Sequence, residues 1–156
     1  MKKISILLLL LAIAITDLQA GRFARSNKAM LEKAVEKISN ELINQLPANS
    51  TLAVIHVSSD DKNTSLYAID EIEYKLVNAR KFKMVDRKRL GTIRAEQRFQ
   101  MSGEVDDATA VSIGKMTGAS IVITGEITKT GSTQRLSIRA LDVKTAQIVS
   151  MVRESF

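Results

Sequence analysis

No cysteine occurs in the 156 residues, which excludes a disulfide framework, a zinc–thiolate centre and a thiol nucleophile. Histidine occurs once, as His56, so an imidazole metal site has no second ligand of its own kind. His56 reads instead as a hydrogen-bonded structural residue. Tryptophan is absent and aromatics make up 4% of the chain, which leaves no stacking platform for bases or sugars and requires an aliphatic core. No phosphate loop of the G-x-x-x-x-G-K-[ST] or G-x-G-x-x-G form is present. "IGKMTG" (113–118) has a Gly-Lys pair, but inside a helical pattern. No serine stands in a nucleophile-elbow context. Asp60 and Asp61 are adjacent carboxylates without the spaced ligand loop of a hard-cation site, and read as a solvated turn. The chain thus nominates no catalytic residue, no metal ligand and no cofactor site, and it is read as a non-enzyme.

What is present begins with Lys2-Lys3, an apolar run from Ile4 to Ile15 and a small-residue exit at Ala20-Gly21. These are the parts of a secretory signal peptide. The run is shorter than the roughly 20 apolar residues of a permanent membrane span. Residues 1–20 are therefore taken as a leader and 21–156 as one domain. "LQAG" (18–21) has the outline of a bacterial lipoprotein processing site, with Gly21 where the acylated cysteine would stand. After residue 20 the chain holds 21 basic and 16 acidic residues, a net of +5.

Periodicity then supplies the elements. Leu31, Ala34, Val35, Ile38, Leu42, Ile43 and Leu46 form one apolar stripe on a helix that Pro47 ends. "TLAVIHV" (51–57) reads as a strand buried on both faces. "SSDDKNTS" reads as a loop, followed by a helix from Ser65 to Ala79. "KFKMVD" (81–86) is the next strand, parallel to the first across a helical crossover. Asp86 is placed to cap a helix beginning at Arg87, and Asp106 or Asp107 to cap another that Gly118 closes. Segments 119–130, 133–143 and 146–156 read as an antiparallel meander. Gly125 marks a bulge or a close backbone approach, and a change of apolar face at Leu141 and Val143 suggests a second bulge. The fold class is α/β: a single domain with a mixed five-stranded sheet, parallel plus meander, covered by about four helices.

The positive charge is concentrated. Between Arg80 and Arg98 stand eight basic residues, Arg80, Lys81, Lys83, Arg87, Lys88, Arg89, Arg94 and Arg98, against Asp86 and Glu96. A focused patch of this kind attracts anions and acidic partners. Two readings stand side by side: a docking face, and charges that solvate a strand end and a helix. In an exported protein the matching anions are envelope surfaces or an acidic protein face, and nucleic acid is not among them.

"FKMVDRKRLGTI", "EQRFQMSGEVDD", "IGKMTGASIVITGEI" and "RLSIRALDVKTAQIV", in this order, resemble the CsgG/HfaB-type envelope domain family. That family takes in the curli secretion channel CsgG, the lipoprotein LpoB that activates a penicillin-binding protein, and the N-terminal domain of TolB. The resemblance covers roughly residues 50–150 and implies a non-catalytic domain that binds envelope proteins. Its motif positions here, Asp86, Arg87, Gly118, Ala119 and Gly125, are implied to determine the fold. The short loops leave no room for barrel hairpins of about 9–11 residues per strand, so the likeness is to a small, pore-free member. The expectation is an interaction module assisting fibre secretion or peptidoglycan synthesis. The alternative is a subunit of a ring-shaped outer-membrane assembly. Partners are envelope proteins, another copy of the chain, or an anionic envelope surface. The expected location is the periplasm, soluble or peripheral to the outer membrane, and not a lipoprotein.

Overall fold

Two apolar layers sandwich one sheet. The computed structural model describes residues 27–96 and 106–156, with the side chains of 93–96 outside that description. Residues 1–26, which include the expected leader, and the segment around "FQMSGEV" lie outside the described residues. In chain order the elements are α1 (27–45), β1 (Thr51–Ser58), α2 (Lys62–Asn78), β2 (Lys83–Met84), α3 (Arg87–Glu96), α4 (Asp107–Thr117), β3 (Ile121–Thr130), β4 (Thr133–Asp142) and β5 (Ile148–Ser155). The sheet order is β2-β1-β3-β4-β5. β1 pairs in parallel with β2 and β3, and β3, β4 and β5 run antiparallel.

Each face of the sheet is dressed by its own helices. Leu31, Val35, Ile38 and Leu42 of α1 and Ile69, Ile72 and Leu76 of α2 pack on Leu52, Val54, Ile123, Leu136 and Ile138. Leu90 of α3 and Ala110, Val111 and Ile113 of α4 pack on Ala53, Ile55, Val122 and Leu141 of the other face. Removing one such aliphatic side chain from water contributes about 1.5–3 kcal/mol. With helices on both faces, β1 is apolar at nearly every position, as its composition implied. A register slip between Val54 and His56 against β3 makes Ile55 an extra residue. The slip inverts the alternation, so Val57 joins Leu52 and Val54 on the α1/α2 side.

Some boundaries differ from the sequence reading. α2 begins three residues earlier than Ser65, because Asp61 caps it through the Thr64 amide (2.7 Å). β2 contracts to Lys83–Met84 because it is an edge strand with β1 as its one neighbour. Of the two candidate caps for α4, Asp106 does the work, accepting from the Thr109 amide at 2.7 Å. The apolar change at Leu141 and Val143 needs no break in β4. α4 covers the second face there, so plain alternation serves both layers. A bulge does lie at that level, but in β5: Ala140 faces Ser150, Leu141 faces Ile148, and Val149 is the extra residue.

Gly118 closes α4 at φ 74°, a left-handed conformation that costs other residues steric strain, and the Ala119 amide returns to the Gly114 carbonyl at 3.0 Å. Gly125 sits in unbroken β3–β4 register opposite Ile138, and the requirement there is the close approach.

Candidate functional site

The basic stretch folds into the β2 edge and the start of α3. The Lys83 amide donates to the Ser50 carbonyl and the Val85 amide to the Leu52 carbonyl, both at 2.9 Å. These bonds fasten the strand to β1, with Phe82 and Met84 against the α1/α2 core and Val85 against the opposite one. Asp86, two residues past the strand, then caps α3, its carboxylate accepting from the Lys88 amide at 2.6 Å. The cap places Arg87, Lys88 and Arg89 in the first turn of the helix.

The structure divides the patch. Lys81 is turned inward: its ammonium donates to the Ile43 carbonyl at 2.5 Å, in the last turn of α1, and lies 5.6 Å from the Phe82 ring centre. A cation at a helix C-terminus is favourably placed against the helix dipole. Arg87 is bound to α2, where its guanidinium pairs with Asp70 and, at 3.4 Å, with Glu73. Both residues position the strand and helix. Arg80, Lys83, Lys88 and Arg89 are exposed. Arg80 follows α2 in a left-handed conformation at φ 52°. The side chain of Arg94 and the whole of Arg98 lie outside the described residues.

The remaining candidates have structural duties. His56 is half-buried in β1, next to the register slip. The Asp61 carboxylate is taken up by the Thr64 amide and hydroxyl. Those bonds, the hydroxyl first, hold its pKa below the usual carboxylate value. Among the described residues no three His, Cys, Asp or Glu side chains come together in a way that could hold a metal ion. A groove of about 430 Å³ opens between the N-terminal turns of α1 and α2 and the end of β5, lined by Leu31, Asp61, Thr64, Tyr67, Gln134 and Phe156. Its one carboxylate side chain, Asp61, is the capping group just described.

A second charged surface was only half legible. Arg135 and Arg139, four residues apart, fall on one side of β4 by plain alternation, but Arg153 comes beside them only through the β4–β5 register, in which it faces Ser137. Neither sequence spacing nor composition carries that juxtaposition.

A family model described as peptidoglycan-synthase activator LpoB matches residues 26–149. Among solved structures, the LpoB C-terminal domain from Salmonella enterica superposes with a TM-score of 0.69 at 16% identity, covering 81% of this chain and 97% of that one. The LpoB C-terminal domain from Escherichia coli gives 0.68 at 16% identity, with the same coverage. A lipoprotein from Neisseria meningitidis gives 0.54 at 15% identity, covering 69% of this chain and 81% of that one. No curated protein sequence matches the chain. At these identities the structures share the fold. The matches carry the LpoB side of the expected resemblance; the CsgG/HfaB side and the ring-subunit alternative find no support in them.

One expectation is overturned. The matching family consists of lipoproteins anchored in the outer membrane and facing the periplasm, so the reading "not a lipoprotein" does not stand. That reading rested on one missing acyl acceptor at Gly21, whereas the family match rests on the folded domain.

Proposed function

The chain belongs to the family of the peptidoglycan-synthase activator LpoB, and from that premise we propose that it is a non-catalytic module that binds a peptidoglycan synthase in the cell envelope and raises its activity. The family match across residues 26–149 carries this reading. In it, residues 1–20 serve as the export leader and 21–156 as the acting domain.

The proposed contact surface is Arg80, Lys83, Lys88 and Arg89, extended along the chain by Arg94 and Arg98. The first turn of α3 contains no acid, and cations at a helix N-terminus oppose its dipole by about 0.3–1 kcal/mol each. Arg87 offsets this through Asp70 and Glu73, while Lys88 and Arg89 project to solvent. Charges placed against local stability support a binding role. An acidic face on the synthase is the complementary partner, and steering between opposite charges would speed their encounter.

The test is polymerisation of lipid-linked precursor by a purified synthase with and without the full chain. Stimulation is expected, and the triple variant R80E/K88E/R89E should lose it while keeping its Tm within a few degrees. Equal stimulation by the variant would remove the surface from the proposal. No stimulation by the unaltered chain would remove the function.

A further inference from the structure

β5 forms the sheet edge opposite β2. Gln134 and Phe156 exchange both backbone hydrogen bonds at 2.8 Å, which makes them a hydrogen-bonded antiparallel pair. Such pairs recur at every second residue, so Leu136–Glu154 and Ile138–Val152 follow in the same register. The N–H and C=O groups of the intervening Met151, Arg153 and Ser155 therefore point away from β4, along the open edge. Neither proline nor lysine interrupts β5. The bulge at Val149 blunts only its beginning.

The strand is held from behind and uncovered in front. On the α1 side, Lys37 pairs with Glu154 at 2.5 Å and the Ser150 hydroxyl donates to Gln45 at 2.6 Å. Ile148, Val149 and Met151 are 45–49% exposed, and they are three of the seven exposed large apolar side chains among the described residues. On the outer face, Met151 faces Arg139 and Arg153 faces Ser137, with Arg135 one pair further along. The acids of this face lie behind the arginines: Asp107 pairs with Arg139 at 3.2 Å, and Glu126 sits on β3, opposite Ser137. On this face the charge nearest the edge is Arg153.

We propose that β5 receives an extended acidic segment of a partner protein as a sixth strand, with a carboxylate opposite Arg153 and an apolar side chain opposite Met151. Backbone bonds to Met151, Arg153 and Ser155 supply affinity, and the alternating side chains supply specificity. A second copy of the chain is the poorer occupant, because it brings its own arginine row to the same face. This surface is separate from the basic patch and lies at the other end of the sheet.

The experiment titrates the full chain with a ten-residue peptide of repeating Val-Thr-Glu-Thr, in which valine and glutamate alternate at every second residue and so share one face, followed by fluorescence anisotropy and amide NMR. Saturable binding is expected, with exchange protection appearing at the Met151, Arg153 and Ser155 amides. N-methylation of alternate peptide amides, or Arg153→Glu, should weaken it at least tenfold, and Arg153→Glu should transfer the preference to a valine–lysine peptide. Met151→Pro should abolish binding with the fold intact, since the Met151 amide makes no bond to β4. The proposal is overturned by absence of binding, by equal binding of the N-methylated or lysine peptide, or by self-association that protects the same three amides. Peptide binding is read independently of synthase stimulation, so either proposal can fail alone.

Discussion

Ile138 lies directly over Gly125: a Cβ at position 125 would stand 2.3 Å from the Ile138 Cδ1 and 2.7 Å from the Ser137 carbonyl oxygen. The side chain has room to yield only by repacking the α1/α2 core, and the carbonyl is held by the β3–β4 ladder. Gly125→Ala should therefore destabilise the domain by about 1–3 kcal/mol, the usual cost of overpacking. Adding Ile138→Val, which deletes the clashing methyl, should recover part of that loss but not the part owed to the carbonyl. Urea unfolding of the two single variants and the double variant measures the coupling.

Gly114 tests the same idea where two effects oppose. Helix propensity favours alanine by about 1 kcal/mol in a helix interior. A Cβ there would meet methyls of both Val122 and Val143 at 2.6 Å, an overpacking cost of about 1–3 kcal/mol. The contact should win, and Gly114→Ala should lower the unfolding midpoint. A raised midpoint would mean that α4 can lift off the sheet without loss.

Ala146 offers the reverse case. It holds φ 58° in the β4–β5 turn, where its amide donates to the Asp142 carbonyl at 2.8 Å. A left-handed conformation costs an L-residue about 1–2 kcal/mol, partly offset by glycine's greater chain entropy. Ala146→Gly should stabilise the domain by roughly 0.5–1 kcal/mol, visible as a higher Tm.

Two exposed aspartates and one half-buried one set an acid limit. The Asp61 and Asp106 carboxyls are held below the ordinary value by the side-chain and backbone groups of Thr64 and Thr109, and Asp142 by the amide and hydroxyl of Thr145. A lowered folded pKa means stability that is present above the unfolded pKa and lost as pH falls through the folded one. Tm should accordingly drop as pH is lowered from about 4, near the unfolded aspartate pKa. Asparagine caps helices about as well as aspartate and does not titrate. Asp61→Asn/Asp106→Asn should thus keep its Tm at neutral pH and flatten the acid slope, as a thermal-melt series in pH would show.

The basic surface should separate stability from binding. Arg87→Ala removes the link to Asp70 and Glu73 and should cost up to about 1 kcal/mol, the range of partly exposed ion pairs. Arg89→Glu puts an acid in the first turn of α3 and should stabilise by about 0.3–1 kcal/mol while reducing synthase stimulation. Paired Tm and stimulation measurements on both variants would reveal whether the two properties move in opposite directions at position 89.

The order of elements, the mixed sheet, the buried parallel strand and the caps at Asp86 and Gly118 were decided by the sequence alone, while the structure chose Asp106 over Asp107 as the cap of α4. Each is a local matter: apolar period, a carboxylate one residue before a helix, a glycine where φ must be positive. The sequence also located the positive charge. Only tertiary structure decided what those charges do. Lys81 and Arg87 look the same on paper as Lys88 and Arg89. The first two are drawn inward because the last turn of α1 presents the Ile43 carbonyl and α2 presents Asp70 and Glu73, contacts 38, 17 and 14 residues away along the chain. The slip at Ile55, the bulge at Val149 and the meeting of Arg153 with the β4 arginines arise in the same way. Strand register is a property of the assembled sheet, and no periodicity within one strand encodes where its neighbour will stop.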